Sequence, residues 1–417
     1  MKKNLSLTTK IILGLLLGGV FGLILQPLPD GFIKDTLFLN GILKVIGDCF
    51  LNAIKMLVVP LVITSLACGA SSLGDIKKIG RIGGKTIIFY LFTTAAAITI
   101  SILLALLIKP GLGLDMSHIV TQEPTISESK SFVEILIGMI PTNPIQSMVN
   151  GDMLQIIVFS LLLGVAMSLI GKKAEPFKNF LESFNAICMK IIDLIMMTAP
   201  AGVFALIAST FAKTGFDAML PLIKYMFVIL LGLAIQAFVV YSGLLKLFTR
   251  LKLKPFYKKF SKIAAVTFST SSSSASLPVT TETMIESGVS NSIGSFTLPL
   301  GATINMDGTA IMQGTAAIFI SQVYGIDIGI NGILTIILTA TLASIGTAGV
   351  PGVGMIMLSM VLQSVGLPVE GIALILGVDR ILDMCRTTIN VMGDCACTLI
   401  ISKSEKEFNE EKYYAVD

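Results

Sequence analysis

Five polar residues punctuate one hydrophobic stretch near the end of this 417-residue chain: Asp379, Asp383, Arg386, Asn390 and Asp394. Their spacings are four, three, four and four, so on a helix that turns roughly 100° per residue all five share one stripe. The flanks, Gly371 to Gly377 and Cys395 to Ile401, are apolar. An ionised side chain at the centre of a bilayer costs roughly 2.5–3.5 kcal/mol, so this many must face partners or a polar cavity rather than lipid. A buried stripe of ion pairs that only fixes helix packing is the plainer reading. Several charges in one span more often mark an ion or substrate path. The chemistry on offer is recognition: a guanidinium grips a carboxylate through a planar fork, and a carboxylate matches an ammonium.

A second constellation lies upstream in Gly301-Ala-Thr303-Ile-Asn305-Met306-Asp307-Gly308-Thr309. Asn305 and Asp307 are two residues apart, about 200° on a regular helix, and cannot face one cavity unless the helix breaks there. A break frees backbone carbonyls. Beside an Asp and an Asn they are hard oxygen ligands suited to a dehydrated sodium ion. The alternative is a kink whose Asn and Asp satisfy only their own backbone.

Composition fixes where such residues can sit. With 54% hydrophobic and 13% charged residues, the chain reads as a polytopic membrane protein. The N-terminal span lacks a convincing cleavage site and is expected to be retained. The net charge of +4 is spread over short loops, reporting topology and giving no nucleic-acid signal. The six cysteines lie in or beside apolar spans without metal-ligand spacing, and the single histidine, His118, lies in a polar loop. No Ser–His pair can form within the membrane, and the chain reads as a non-enzyme.

In order, spans are expected near 11–27, 41–70 and 84–108, followed by an acidic outside linker at 109–132. A broken hydrophobic region at 131–171 is interrupted by Pro141-Thr-Asn-Pro144, and spans near 180–212 and 219–248 follow. Lysines and arginines between 246 and 262 mark a cytoplasmic loop, which places both termini inside. The simple pattern then fails. Segment 263–292 carries Ser269-Thr-Ser-Ser-Ser-Ser-Ala-Ser276 at its middle, and 333–368 carries Ser344-Ile-Gly-Thr347-Ala-Gly349-Val-Pro351-Gly352-Val-Gly354. Such cores cannot cross lipid, but paired half-helices meeting at a polar tip can dip in and return. Each segment precedes a span with buried polar residues. Interrupted segments in corresponding positions of two repeats point to a transporter's binding site.

Serine-rich tip, Asn-Met-Asp-Gly-Thr, Gly-Thr-Ala-Gly-Val-Pro-Gly and Asp-x-x-x-Asp-Met-x-Arg-Thr-x-x-Asn-Val-x-Gly-Asp occur here in one order. Together with Lys55-Met-Leu-Val-Val-Pro60, they make nearly the whole chain resemble the glutamate transporter family of dicarboxylate/amino acid:cation symporters. The resemblance implies an all-α fold of eight spans and two re-entrant hairpins with inverted repeats, an elevator mechanism and a homotrimer. It also implies a division into scaffold (1–80 and 131–215) and transport domain (81–110 and 216–402). The transport part would hold hairpin 1 near 258–292, span 7 near 293–323, hairpin 2 near 333–368 and span 8 near 369–402.

By the same resemblance, Arg386 meets the side-chain carboxylate of an acidic amino acid and Asp383 its amino group. Asn390 and Thr387 hold the α-carboxylate, and Ser273, Thr309 and the backbone around Val350 and Gly354 complete the pocket. The implied sodium sites are three. One joins Asp394, Asn390, Asn305 and the Gly301 carbonyl; another joins Tyr90, Thr93, Thr94, Asn305 and Asp307; the third is backbone of Thr303, Ser344, Ile345 and Thr347. A charge count agrees: Asp307, Asp379, Asp383 and Asp394 outweigh Arg380 and Arg386, and a bound acidic amino acid raises the excess to a level that about three monovalent cations neutralise.

Two positions depart from the family. Gln313 stands where proton-coupled animal members carry a glutamate, and Ser271 stands where some archaeal members place an arginine. The expected function is inner-membrane import of L-aspartate, and secondarily L-glutamate, with sodium and no organic cofactor. Proton coupling, a C4-dicarboxylate and a neutral amino acid are the alternatives within the family. From another class, an intramembrane aspartyl protease using Asp307 and Asp394 is the rival.

Overall fold

The computed structural model describes residues 7–72, 76–114, 137–215, 219–344 and 352–415. Within them the chain is helical and holds no β-strand. The helices run α1 (Leu7–Leu25), α2 (Leu43–Met56), α3 (Val58–Ser72), α4 (Ile76–Ile108), α5 (Pro144–Asn150), α6 (Met153–Ile170), α7 (Glu175–Thr214) and α8 (Met219–Ile235). They continue as α9 (Ser242–Thr249), α10 (Leu253–Thr270), α11 (Ser273–Glu286), α12 (Asn291–Ile304), α13 (Asp307–Val323), α14 (Gly329–Ser344), α15 (Val353–Ser364), α16 (Ile372–Ser404) and α17 (Glu410–Tyr414). Among the described residues four stretches, Phe32–Cys68, Arg81–Ile108, Leu154–Lys213 and Met219–Thr249, are long and apolar enough to cross a membrane. Large apolar side chains such as Leu17, Leu107, Leu169 and Phe238 face outward, as a lipid solvent requires.

The second span, expected as one helix over 41–70, is two. It breaks at Leu57, between α2 and α3. Pro60 explains the break: it has no N–H to give the Met56 carbonyl, and its ring clashes with that carbonyl. The outer helices pack closely because small residues let backbones meet. Gly14, Gly18 and Gly22 of α1 recur every four residues against the backbone at Pro200, Phe204 and Ala208 of α7, where any Cβ would collide.

The interior is built around α16, which packs on α10, α12 and α13. Helices α10 and α11 form the first hairpin, pinned at its tip by Ser271 in the left-handed conformation (φ 50°) and by the Ser272 side chain, which accepts from Ala275 N at 3.2 Å. Helices α14 and α15 form the arms of the second hairpin. Its tip, with Ile345, Thr347 and Val350, lies outside the described residues. The α15 arm packs on α13 and on α2, α3 and α6, whereas the first hairpin packs chiefly on α12, on α16 and on the C-terminal helix α17. Between α12 and α13 the helix stops at Ile304 and restarts at Asp307, with Asn305 (φ −82°, ψ 96°) and Met306 (φ −121°, ψ 39°) outside helical geometry. The expected break is there.

Candidate functional site

The polar stripe of α16 is buried along its length, from Asp379 and Asp383 through Arg386, Thr387 and Asn390 to Asp394. It divides into two clusters.

At the upper end, Arg386 is only 1% exposed and forks onto two carboxylates. Its Nη1 donates to Asp379 Oδ1 at 2.6 Å and its Nη2 to Asp383 Oδ1 at 3.0 Å. Arg380, one residue on from Asp379, reaches back so that its Nη1 lies 3.5 Å from Asp383 Oδ2. Two positive and two negative groups compensate one another, which a low-dielectric interior demands. Thr309 at the start of α13 and Gly354 at the start of α15 close on this cluster: a Cβ at Gly354 would lie 3.4 Å from Thr309 Cγ2 and 3.7 Å from Arg386 Nη2. Ser273 is buried at the N-terminus of α11 in the first hairpin, whose Thr267 hydroxyl bonds Thr388 of α16 at 3.3 Å. Beside Asp379 and Arg380 opens a narrow cavity of about 30 Å³ walled mostly by apolar residues that include Phe50, Met196 and Met355.

At the lower end stand two carboxylates with no basic partner among the described residues. Asp307 is fully buried and accepts from Thr94 Oγ1 on one oxygen (2.6 Å), and from Gln236 Nε2 (2.7 Å) and Tyr241 Oη (2.6 Å) on the other. Asp394 accepts from Asn305 Nδ2 at 2.9 Å, and the same amide nitrogen donates to the Asn390 carbonyl at 2.7 Å. Two acceptors at one end fix which way the Asn305 amide points, and its oxygen finds no donor. The Tyr90 hydroxyl has the Cys397 thiol beside it and no oxygen or nitrogen partner among the described residues. A Cβ at Gly301 would overlap both the Tyr90 hydroxyl and an oxygen of Asp394, so only glycine leaves that space open. Asn390 is held by Gly308 N, which donates to its Oδ1 at 2.7 Å.

Orphaned buried oxygens beside uncompensated carboxylates fit a hard monovalent cation, because such a group supplies the charge and the missing partners together. Hydrogen bonds and shared space bring together Tyr90, Thr93, Thr94, Gly301, Asn305, Asp307, Asn390 and Asp394. Thr303 turns its side chain outward, its hydroxyl donating to Leu300 O at 2.9 Å. Ser344 is the buried last residue of α14, where a helix C-terminus leaves carbonyls free. Among the described residues no cluster of histidine, cysteine and carboxylates gathers for another metal.

Gln236 and Tyr241 escape the sequence reading. The available signal was a glutamine in the middle of the apolar run Met219–Thr249.

A helical membrane protein with a broken span and two half-length hairpins converging on buried charge is built as a secondary transporter. This chain belongs to the Sodium:dicarboxylate symporter family, whose family model matches residues 7–404. It is 39% identical to the proton/sodium-glutamate symport protein of Geobacillus stearothermophilus, over 98% of this chain and 97% of that one. Identity to the proton/glutamate-aspartate symporter of Escherichia coli (strain K12) is also 39%, over 99% and 96%. To the C4-dicarboxylate transport protein of Bacillus subtilis (strain 168) it is 33%, again over 99% and 96%. The chain is therefore a symporter and not an enzyme, and the intramembrane protease reading falls.

Proposed function

We propose that this symporter imports acidic amino acids, L-aspartate first and L-glutamate second, driven by sodium across a bacterial inner membrane. The observation that carries the reading is the fork of Arg386 onto Asp379 and Asp383. A substrate with a side-chain carboxylate and an ammonium can replace both halves of that fork: its carboxylate takes the guanidinium, and its ammonium takes the released Asp383. A C4-dicarboxylate without an amino group leaves Asp383 short of a partner, and a neutral amino acid leaves Arg386 without its carboxylate. Thr387 and Asn390 then hold the α-carboxylate, while Ser273, Thr309, Gly354 and the backbone at Val350 enclose it.

Sodium is the proposed driver because the Asp307 and Asp394 cluster lacks a cation of its own. Two sites use the oxygens gathered there. The third uses backbone of Thr303, Ser344, Ile345 and Thr347. Hairpin movement and an elevator shift of residues 81–110 and 216–402 against a trimeric scaffold, 1–80 with 131–215, would carry the load across. Asp394, with one hydrogen bond in the structure, supports a second reading in which it carries a proton instead. Competition against radiolabelled L-aspartate uptake tests the substrate. L-Glutamate should compete, whereas succinate and L-alanine should need far higher concentrations; equal competition by succinate would overturn the role of Asp383.

A further inference from the structure

The residues of the lower cluster divide by what they leave open. Asp307 Oδ2 accepts twice, from Gln236 Nε2 and Tyr241 Oη, whereas Oδ1 accepts from Thr94 Oγ1, with the Thr93 hydroxyl also beside the carboxylate. The two donors to Oδ2 come from opposite ends of a π-helical turn, Gln236–Tyr241, inserted between α8 and α9. On an α-helix residues five apart point roughly 140° away from each other, and they could not reach one oxygen. In a π turn the fifth residue comes round above the first, which is what the i to i+5 hydrogen bond means. The turn is therefore the feature that lets one helix grip one carboxylate oxygen twice.

Both grips are braced. Gln236 Nε2 also lies 3.3 Å from the Thr93 carbonyl, tying the clamp to α4. The Tyr241 hydroxyl fills the space above Gly393, where a Cβ would overlap both it and Asn305 Nδ2. Gln236 and Tyr241 are themselves wholly buried.

We propose that Gln236 and Tyr241 are positioning residues of the cation site: they immobilise Asp307 through one oxygen, so that the other stays presented to a co-transported monovalent cation. This rests on the sodium reading above. Neither residue touches the cation. Their effect passes through the orientation of Asp307, and so it should appear in sodium affinity and leave the amino acid pocket, anchored on Arg386, unchanged.

The test uses purified full-length protein in detergent, without amino acid, and follows the sodium-dependent rise in melting temperature for the unaltered chain, Tyr241→Phe and Gln236→Leu. Tyr241→Phe keeps the ring and removes only the donor; Gln236→Leu keeps the side chain's bulk and removes the amide. Losing a hydrogen bond to a charged group should raise the sodium concentration for half the effect by roughly tenfold in each variant. L-Aspartate affinity at saturating sodium should stay within about twofold on the same reasoning. A purely structural role would lower the melting temperature without sodium and leave the sodium midpoint where it was, and that result would overturn the inference alone. An unaltered chain indifferent to sodium would overturn the sodium reading and the inference with it.

Discussion

The two ends of the α16 stripe have opposite charge accounts. Around Arg386, two arginines face two aspartates and every charge has a partner within 3.5 Å. Around Asp307 and Asp394, two aspartates share only neutral donors. A balanced cluster can exchange partners with a zwitterionic, doubly carboxylated ligand without stranding charge; an unbalanced one calls for positive charge from outside. On the proposed reading, one helix holds a site for the amino acid and a site for what drives it. Roughly two turns separate Arg386 from Asp394, and Asn390 stands between, bonded to the α13 start on one side and to Asn305 on the other.

The largest expected effect comes from breaking the balance. Arg386→Cys leaves Asp379 and Asp383 uncompensated, and removing one partner of a buried pair typically costs about 3–5 kcal/mol. L-Aspartate uptake should fall by roughly a hundredfold or more on that scale, and preference should shift toward neutral amino acids. Unchanged aspartate affinity in a competition series would remove Arg386 from the pocket.

Asp307→Asn and Asp394→Asn probe the unbalanced end. Each deletes a negative charge while keeping shape, so each should weaken sodium dependence and lower the Hill coefficient for sodium in uptake assays. Full sodium dependence in both would place the driving cation elsewhere.

Asp383→Asn sharpens the contrast within the balanced end. It should reduce L-aspartate affinity roughly ten- to a hundredfold, the range for truncating one half of a charged hydrogen bond, while affecting succinate much less. Equal losses for both ligands would mean that Asp383 serves Arg386 and not an ammonium.

The smallest effect lies at the surface, where the last turn of α16 meets α4. Lys85 bonds Glu405 at 2.7 Å and Arg81 bonds its other oxygen, and these hold the Glu405 carboxyl below the usual carboxylate range. A carboxylate with a depressed pKa stabilises the fold above its unfolded-state value and loses that contribution as pH falls through the folded one. Glu405→Gln should thus lower the melting temperature slightly at pH 7, and the difference from the unaltered chain should fade as pH falls below the usual carboxylate range. A difference that persists in acid would point to packing instead of charge.

Much of this arrangement was legible in the residues. The α16 stripe follows from spacing alone, and the break at Asn305–Met306 follows from two polar groups that a regular helix would point apart. The first hairpin follows from serines that lipid would not tolerate. What stayed hidden needed contacts that local periodicity does not encode. Gln236 and Tyr241 lie 71 and 66 positions from Asp307, and only a π turn brings both to one oxygen. The mutual pairing of Arg386 with Asp379 and Asp383 was implicit in their shared stripe, but three charges on one face read equally well as three ligands. The Leu57 break was signalled by Pro60, since proline usually interrupts a helix near the preceding turn.

The central claim is that the uncompensated carboxylates take sodium. The most direct measurement is radiolabelled L-aspartate uptake into proteoliposomes, under an inward sodium gradient in one set and an inward proton gradient without sodium in the other. Uptake with sodium and none with protons alone is the predicted result. Uptake driven by protons without sodium would contradict it, leaving the fold and the Arg386 pocket standing but turning Asp307 and Asp394 into proton carriers.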